Sequence, residues 1–220
     1  MSQIGLLDGL ATTRAIRRFR PEPVPTEDLS AILFAATRAP SGSNRQPVRF
    51  LVLRDGPTAA IAKELLSSAF AEAWESKSAA EGYREAGSES PRGRLKAAMA
   101  DMIDRFADIP VVVLVCTTPR HHTLIDGASV YPACQNLLLA ARALGYGGVL
   151  TGWHSTVEEQ LKELCGIPDD VVIAATIPLG VPEGRHGPVR RRPLADSVYE
   201  DRWDVRASWP TDPAGTRFAS

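Results

Sequence analysis

Residues 109–116, Ile-Pro-Val-Val-Val-Leu-Val-Cys, form the longest apolar run in the chain. Its length and β-branched content, with no polar alternation, predict a strand buried on both faces. A membrane helix would need roughly 18 apolar residues. Downstream, Asp126 to Leu144 reads as the best helix, uninterrupted except for an early Pro132. It is apolar on most faces (Ala133, Leu137, Leu138, Leu139, Ala140, Ala141, Leu144), as a central buried helix would be. A glycine-rich step, GYGGVLTG at 145–152, leads through a short strand to an amphipathic helix at 157–165. A last strand is predicted at 171–179, then a basic loop at 180–192 and a tail anchored by Leu194, Val198, Tyr199 and Trp203.

Upstream of the run, residues 58–107 are alanine-rich and helix-forming, broken by the polar stretch GYREAGSESPRG. Phe50 to Leu53 is a strand ended by Asp55-Gly56-Pro57. A polar loop, SGSNRQP, precedes it. Before that loop, a helix opens at Thr26 as its cap and buries Leu29, Ile32, Leu33 and Ala36. A first helix spans Asp8 to Arg18, ended by Pro21, Pro23 and Pro25. Strands scattered among helices predict an α+β fold, a central mixed sheet surrounded by helices, in a single domain over 1–220. The helical excursion at about 58–107 lies outside that alternation.

The chain has 220 residues, 44% hydrophobic and 23% charged, with 25 basic and 26 acidic side chains and a net charge of −1. That balance argues against general nucleic-acid binding. The N-terminus lacks a basic start and a sustained apolar core, so a cytoplasmic protein without membrane association is expected. Three cysteines, Cys116, Cys134 and Cys165, show no CxxC spacing and sit in apolar settings, the pattern of structural thiols. Only four of the basic residues are lysine. Arginine supplies rigid, permanently charged forks suited to phosphate.

Three clusters carry chemistry. In TRAIRRF, Arg14, Arg17 and Arg18 share one face if the segment is helical, and such crowding repels unless an anion sits between them. A solvated basic face is the bland alternative. In PSGSNRQP, small residues permit close backbone approach while Ser41, Asn44 and Gln46 offer donors and acceptors; an ordinary polar loop would look the same. The third cluster pairs GYGGVLTG with Arg185, Arg190, Arg191 and Arg192, and its glycines fit neither dinucleotide nor phosphate-loop spacing. His121, His122 and His154 have no partners at metal-ligand spacing, and no GxSxG elbow occurs.

Taken in order, TTRAIRRF, RAPSGSNRQPVRFLVL, ALGYGGVLTGW, IPDDVVIAATIPLGVPEG and RRRPLADSVYED resemble the FMN-dependent nitroreductase family, from about residue 8 to residue 204. The resemblance implies a homodimer with interlocked C-terminal tails and FMN bound at sites built across the subunit interface. It implies that Arg14, Ala15 and Arg17 line the flavin, Arg14 toward the phosphate and Arg17 toward the ribityl chain or the N1–C2=O edge. A fixed guanidinium there would favour the negative charge that reduction creates. The family motif Arg-Arg-Ser-x-Arg is here Thr13-Arg14-Ala15-Ile16-Arg17, without the first arginine and the serine.

By the same resemblance, Ser41, Asn44 and Gln46 contact the flavin from the partner subunit, and Val48 replaces the usual tryptophan. Leu150, Thr151 and Gly152 face flavin N5, through a backbone N–H or the Thr151 hydroxyl. Arg191 binds the phosphate. The implied activity is ping-pong hydride transfer from NADPH or NADH, through FMN, to a nitroaromatic or quinone-like small molecule, with no residue acting as nucleophile or base. Residues 58–107 resemble the variable segment that covers the site. Phe70, Trp74, Tyr83 and Phe106 are either substrate-stacking or packing residues there. Same-fold alternatives are a flavin-fragmenting benzimidazole synthase, a dehalogenase, and a flavin-binding protein without turnover.

Overall fold

A computed structural model describes residues 4–121 and 123–218. His122, weighed above as a metal ligand, lies outside them. Strands β1 (Val48–Leu53), β2 (Val111–Thr117), β3 (Gly147–Gly148) and β4 (Val172–Gly180) form one sheet in the order β1-β2-β4-β3. The apolar run is β2, and every one of its residues is buried. The period of two sends its side chains alternately into two cores. Val112, Leu114 and Cys116 enter one; Val111, Val113 and Val115 enter the other. A register shift opposite Val115 and Cys116 resets the alternation in β4, so Ile173 joins the first core while Ala175, Ile177 and Leu179 join the second.

The sequence led to a mixed sheet, but every neighbouring pair of these strands is antiparallel. Two connections explain the difference. Between β1 and β2 the chain makes a helical hairpin, α3 (Pro57–Ala80) and α4 (Pro91–Asp104), and two traverses reverse the direction that one would restore. Strands β2 and β3 do run parallel across one long helix, α6 (Tyr131–Ala143), but β4 inserts between them, antiparallel to both.

The first core packs under α3, α4 and α7 (Glu158–Cys165), through Ala62, Leu66, Phe70, Met102 and Leu161. The second packs under α2 (Thr26–Thr37) and α6, through Leu29, Ile32, Ala36, Cys134, Leu137 and Ala141. Each fully buried Leu, Ile or Phe contributes about 2 kcal/mol. Lys63 and Lys162 are buried too, and Lys63 Nζ donates to the carbonyls of Arg54 (2.9 Å) and Ile109 (2.7 Å), tying the end of β1 to the start of β2.

Three helix boundaries differ from the sequence expectation. The first helix, α1 (Leu6–Thr12), stops six residues early, because the Thr12 and Thr13 hydroxyls donate to the Asp8 and Gly9 carbonyls and Ile16 is drawn into the core. Arg14, Arg17 and Arg18 therefore lie on extended chain, not on one helical face. Helix α2 is preceded by Pro25 at the cap position, and the Thr26 hydroxyl accepts from Arg54 instead of capping. The long helix at 126–144 is two pieces. Asp126 closes a capping box on Thr123 that starts the short α5 (Leu124–Gly127), and the missing N–H of Pro132 interrupts the ladder before α6.

Contacts divide the chain into two units, Ala15–Arg185 and the residues up to Arg14 with those from His186 onward. The sheet and both cores belong to the first. In the second, the amides of Gly187 and Val189 donate to the carbonyls of Thr12 and Ala11, fixing the basic loop to the end of α1. Among the described residues, no helix is long and apolar enough to cross a membrane.

Candidate functional site

The segment after α1 is held extended by two backbone bonds: Ile16 N–H donates to Gly148 O (3.0 Å) and Arg20 N–H to Val181 O (2.8 Å). The close approach explains the glycines of the 145–152 step. A Cβ on Gly147 would stand 2.5 Å from Ile16 Cγ1, and one on Gly148 would stand 2.7 Å from the Pro178 carbonyl oxygen. Ile16 and Phe19 point into the core, leaving Ala15 and Arg18 exposed and Arg17 half-buried.

The crowded arginines part company here. Arg18 Nε pairs with Asp101 (3.1 Å), which Arg105 also approaches (3.7 Å) while bonding Glu183 (2.7 Å). Arg17 has no hydrogen-bond or ion-pair partner among the described residues. Burial pushes its guanidinium pKa down, opposed by the phenol of Tyr83 nearby. A half-buried cation without an acid is the signature of a place for an external anion or carbonyl edge.

At the end of the glycine step, Thr151 and Thr176 exchange both backbone bonds at 2.9 Å, and the Thr151 hydroxyl also reaches the Thr176 carbonyl (3.2 Å). Thr151 is thus committed to the sheet. The flanking amides of Leu150 and Gly152 have no acceptor among the described residues, and Leu150 and Gly152 are exposed. Beneath the step, His154 Nε2 lies 2.6 Å from Ile173 O and Nδ1 3.1 Å from the Thr176 hydroxyl. Its burial lowers its pKa. It is a packing histidine. No group of side chains that could hold a metal ion occurs among the described residues.

The covering helices contribute an aromatic chain. Phe70 and Phe106 meet edge-on at 4.9 Å and are fully buried, so both are core residues. Trp74 is also in the core, but its ring contacts Trp153 (6.3 Å), the neighbour of Gly152, and Tyr83 (5.1 Å). Tyr83 is half-buried, and the Arg92 guanidinium lies over its ring at 5.8 Å. Of the four aromatics singled out from the sequence, Tyr83 alone borders the half-buried arginine. Trp153 and Arg92 were not singled out. Their adjacency depends on the return of the α3–α4 hairpin, although an arginine in the first turn of a helix opposes the macrodipole and is a weak signal in itself.

Ser41, Asn44 and Gln46 form one self-bonded loop. Gln46 N–H donates to Ser41 Oγ (2.9 Å), and Gln46 Nε2 donates to Asn44 Oδ1 (3.3 Å). Ser43, Asn44 and Gln46 all adopt left-handed backbone, with φ of 52°, 53° and 52°. Three non-glycine residues in that region mark a strained loop of the kind found at ligand sites. Gly42 N–H anchors it to the Ser129 hydroxyl (3.1 Å), beside a cavity of about 290 Å³ that also receives Arg45 and Arg120. The loop makes no hydrogen bond to segments 15–17 or 150–152 among the described residues.

Arg14 and Arg191 belong to the smaller unit. Arg14 N–H donates to His186 Nδ1 (3.3 Å), and Arg191 is exposed with its guanidinium on the Arg190 carbonyl (2.8 Å). The thiols sit apart from this chemistry. Burial pushes the pKa of Cys116 and Cys134 up to about 11 and raises that of Cys165, which disfavours the thiolate in all three.

A Methanothermobacter thermautotrophicus protein provisionally named NADH dehydrogenase/NAD(P)H nitroreductase is 27% identical over 92% of this chain and 90% of its own length. A Thermus thermophilus NADH dehydrogenase is 31% identical over 82% and 88%. The structure of a provisionally named nitroreductase from Desulfovibrio desulfuricans in complex with FMN superposes with a TM-score of 0.65 at 26% identity, over 92% of this chain and 99% of that one. The Nitroreductase family profile matches residues 10–181, and the chain belongs to that family.

Proposed function

We propose that the protein is an FMN-dependent oxidoreductase that uses NADH or NADPH to reduce nitroaromatic or quinone-like acceptors. The observation that carries this reading is Arg17, half-buried and without a hydrogen-bond or ion-pair partner among the described residues, in a chain of this family. The donors suit a flavin: a cation for the electron-rich edge, N–H groups for N5, and arginines for a phosphate. FMN, when bound, supplies hydride transfer in two alternating half-reactions. Arg17 stabilises negative charge on the ring edge. The amides of Leu150 and Gly152 orient N5, and Thr151 holds that turn on β4. Arg14 and Arg191 are assigned to the phosphate, and Ser41, Asn44 and Gln46 to the flavin of a partner subunit. Trp74 and Trp153 exclude water from one wall.

The relatives' names support both halves of the reading, one for NADH chemistry and one for FMN. The homodimer is supported by large apolar side chains left in solvent, Leu124 (98% exposed) and Trp203 (83%) among them. The test is an absorbance spectrum of the purified protein followed by anaerobic NADPH and then NADH. A flavin spectrum that bleaches on addition is the expected result and names the donor. Bound flavin that stays oxidised with both would leave a binding protein without this turnover, and a colourless protein that cannot be loaded with FMN would remove the cofactor from the reading.

A further inference from the structure

Arg92 makes no polar contact with the rest of the described residues. It stands in the first turn of α4, where the helix dipole disfavours a cation. Its guanidinium has no hydrogen bond or ion pair among the described residues, unlike Arg84, which bonds Glu75, and Arg94, which bonds the Glu89 carbonyl. It lies instead over the ring of Tyr83, 5.8 Å from the centroid. That ring leans on Trp74, which touches Trp153 at the end of the 150–152 step. The result is an aromatic wall running from the proposed hydride-transfer position to an exposed fork with open donors.

We propose that Arg92 is a specificity-determining residue for the acceptor, binding the carboxylate of an anionic aromatic substrate whose ring lies along Tyr83. This rests on the reductase reading for its reaction but not for its binding step. A guanidinium presents paired donors that match a carboxylate, and its stacking on Tyr83 pre-orients the fork. A neutral aromatic gains only the wall. Arg17, which also feels Tyr83, is assigned to the cofactor, so the two cations divide the labour.

The test compares 4-nitrobenzoate with nitrobenzene as acceptors, using the holoenzyme and its Arg92→Gln and Arg92→Lys variants. Arg92→Gln is expected to lower kcat/KM for 4-nitrobenzoate about tenfold, through KM, and to leave nitrobenzene unchanged. Arg92→Lys is expected to recover part of the loss. Benzoate, which is not reduced, supplies a second readout. Its quenching of tryptophan emission in the protein as purified should weaken by the same factor in Arg92→Gln. Equal changes for both acceptors, or an unchanged benzoate affinity, would overturn the assignment. A protein that binds benzoate through Arg92 but does not oxidise NADH or NADPH would sustain it while refuting the reductase reading.

Discussion

Arg17 and Arg18 are neighbours in sequence with opposite fates, and the difference is where their carboxylates are. Arg18 is answered by Asp101 from within the fold; Arg17 has no such partner among the described residues, and the flavin is the partner proposed for it. Arg17→Gln should therefore weaken FMN binding about tenfold or more, the worth of a charge-assisted hydrogen bond, with little change in melting temperature. Flavin fluorescence titration checks it, and unchanged affinity would remove Arg17 from the site. The left-handed loop gives a prediction of opposite sign. Ser43 has φ of 52°, and Ser43→Gly relieves that conformation, raising stability by about 0.5 kcal/mol in denaturant melts.

His154 gives a pH dependence. Burial holds its imidazole below the ordinary 6.5, so the unfolded chain takes up the proton first as the pH falls. Its contribution therefore carries no penalty above about pH 6.5 and destabilises progressively below it, until the folded imidazole itself titrates. Urea midpoints at about pH 7.5 and about pH 5.5 should separate less for His154→Gln than for the parent protein. An identical separation would show that the folded imidazole is not held neutral.

Among the elements, the glycine step is the least forgiving. Gly148→Ala would drive a Cβ against the Pro178 carbonyl oxygen, which is backbone and cannot swing aside. A destabilisation of about 2 kcal/mol or more is expected, read as a fall in thermal midpoint. These glycines also show what the sequence could disclose. Strand β2 was legible because eight apolar residues without alternation admit one reading; α2 and α7 were legible from their spacing, and α3 from its alanine-rich composition. The role of Gly147 and Gly148 was not, since it depends on Ile16 and Pro178, which are distant in sequence. For the same reason the end of α1 was misplaced: the arginines have good helical propensity, and the burial of Ile16 against β3 overrides it. Family motifs drew attention to Arg17, Thr151 and Asn44. Trp153 closes the motif ALGYGGVLTGW without having been singled out, Arg92 lies in no family motif, and the fold places them beside Trp74 and Tyr83.

For the whole molecule, several large apolar side chains stand in solvent, Leu6 and Leu7 on α1 among them. Leu124, Ile125 and Tyr131 flank the break between α5 and α6, and Trp203 and Trp209 lie on the tail. Light scattering after size exclusion is expected to give twice the chain mass, and a monomer at micromolar concentration would refute the dimer. The sheet order bears on biosynthesis. Strand β2 hydrogen-bonds on both edges, but its inner partner β4 emerges from the ribosome only after residues 118–171 have been made. Throughout that interval the most apolar strand of the protein has an open edge, the usual template for unwanted strand addition. Yield in cells should therefore respond to translation rate and chaperone supply more strongly than the stability of the finished protein would indicate.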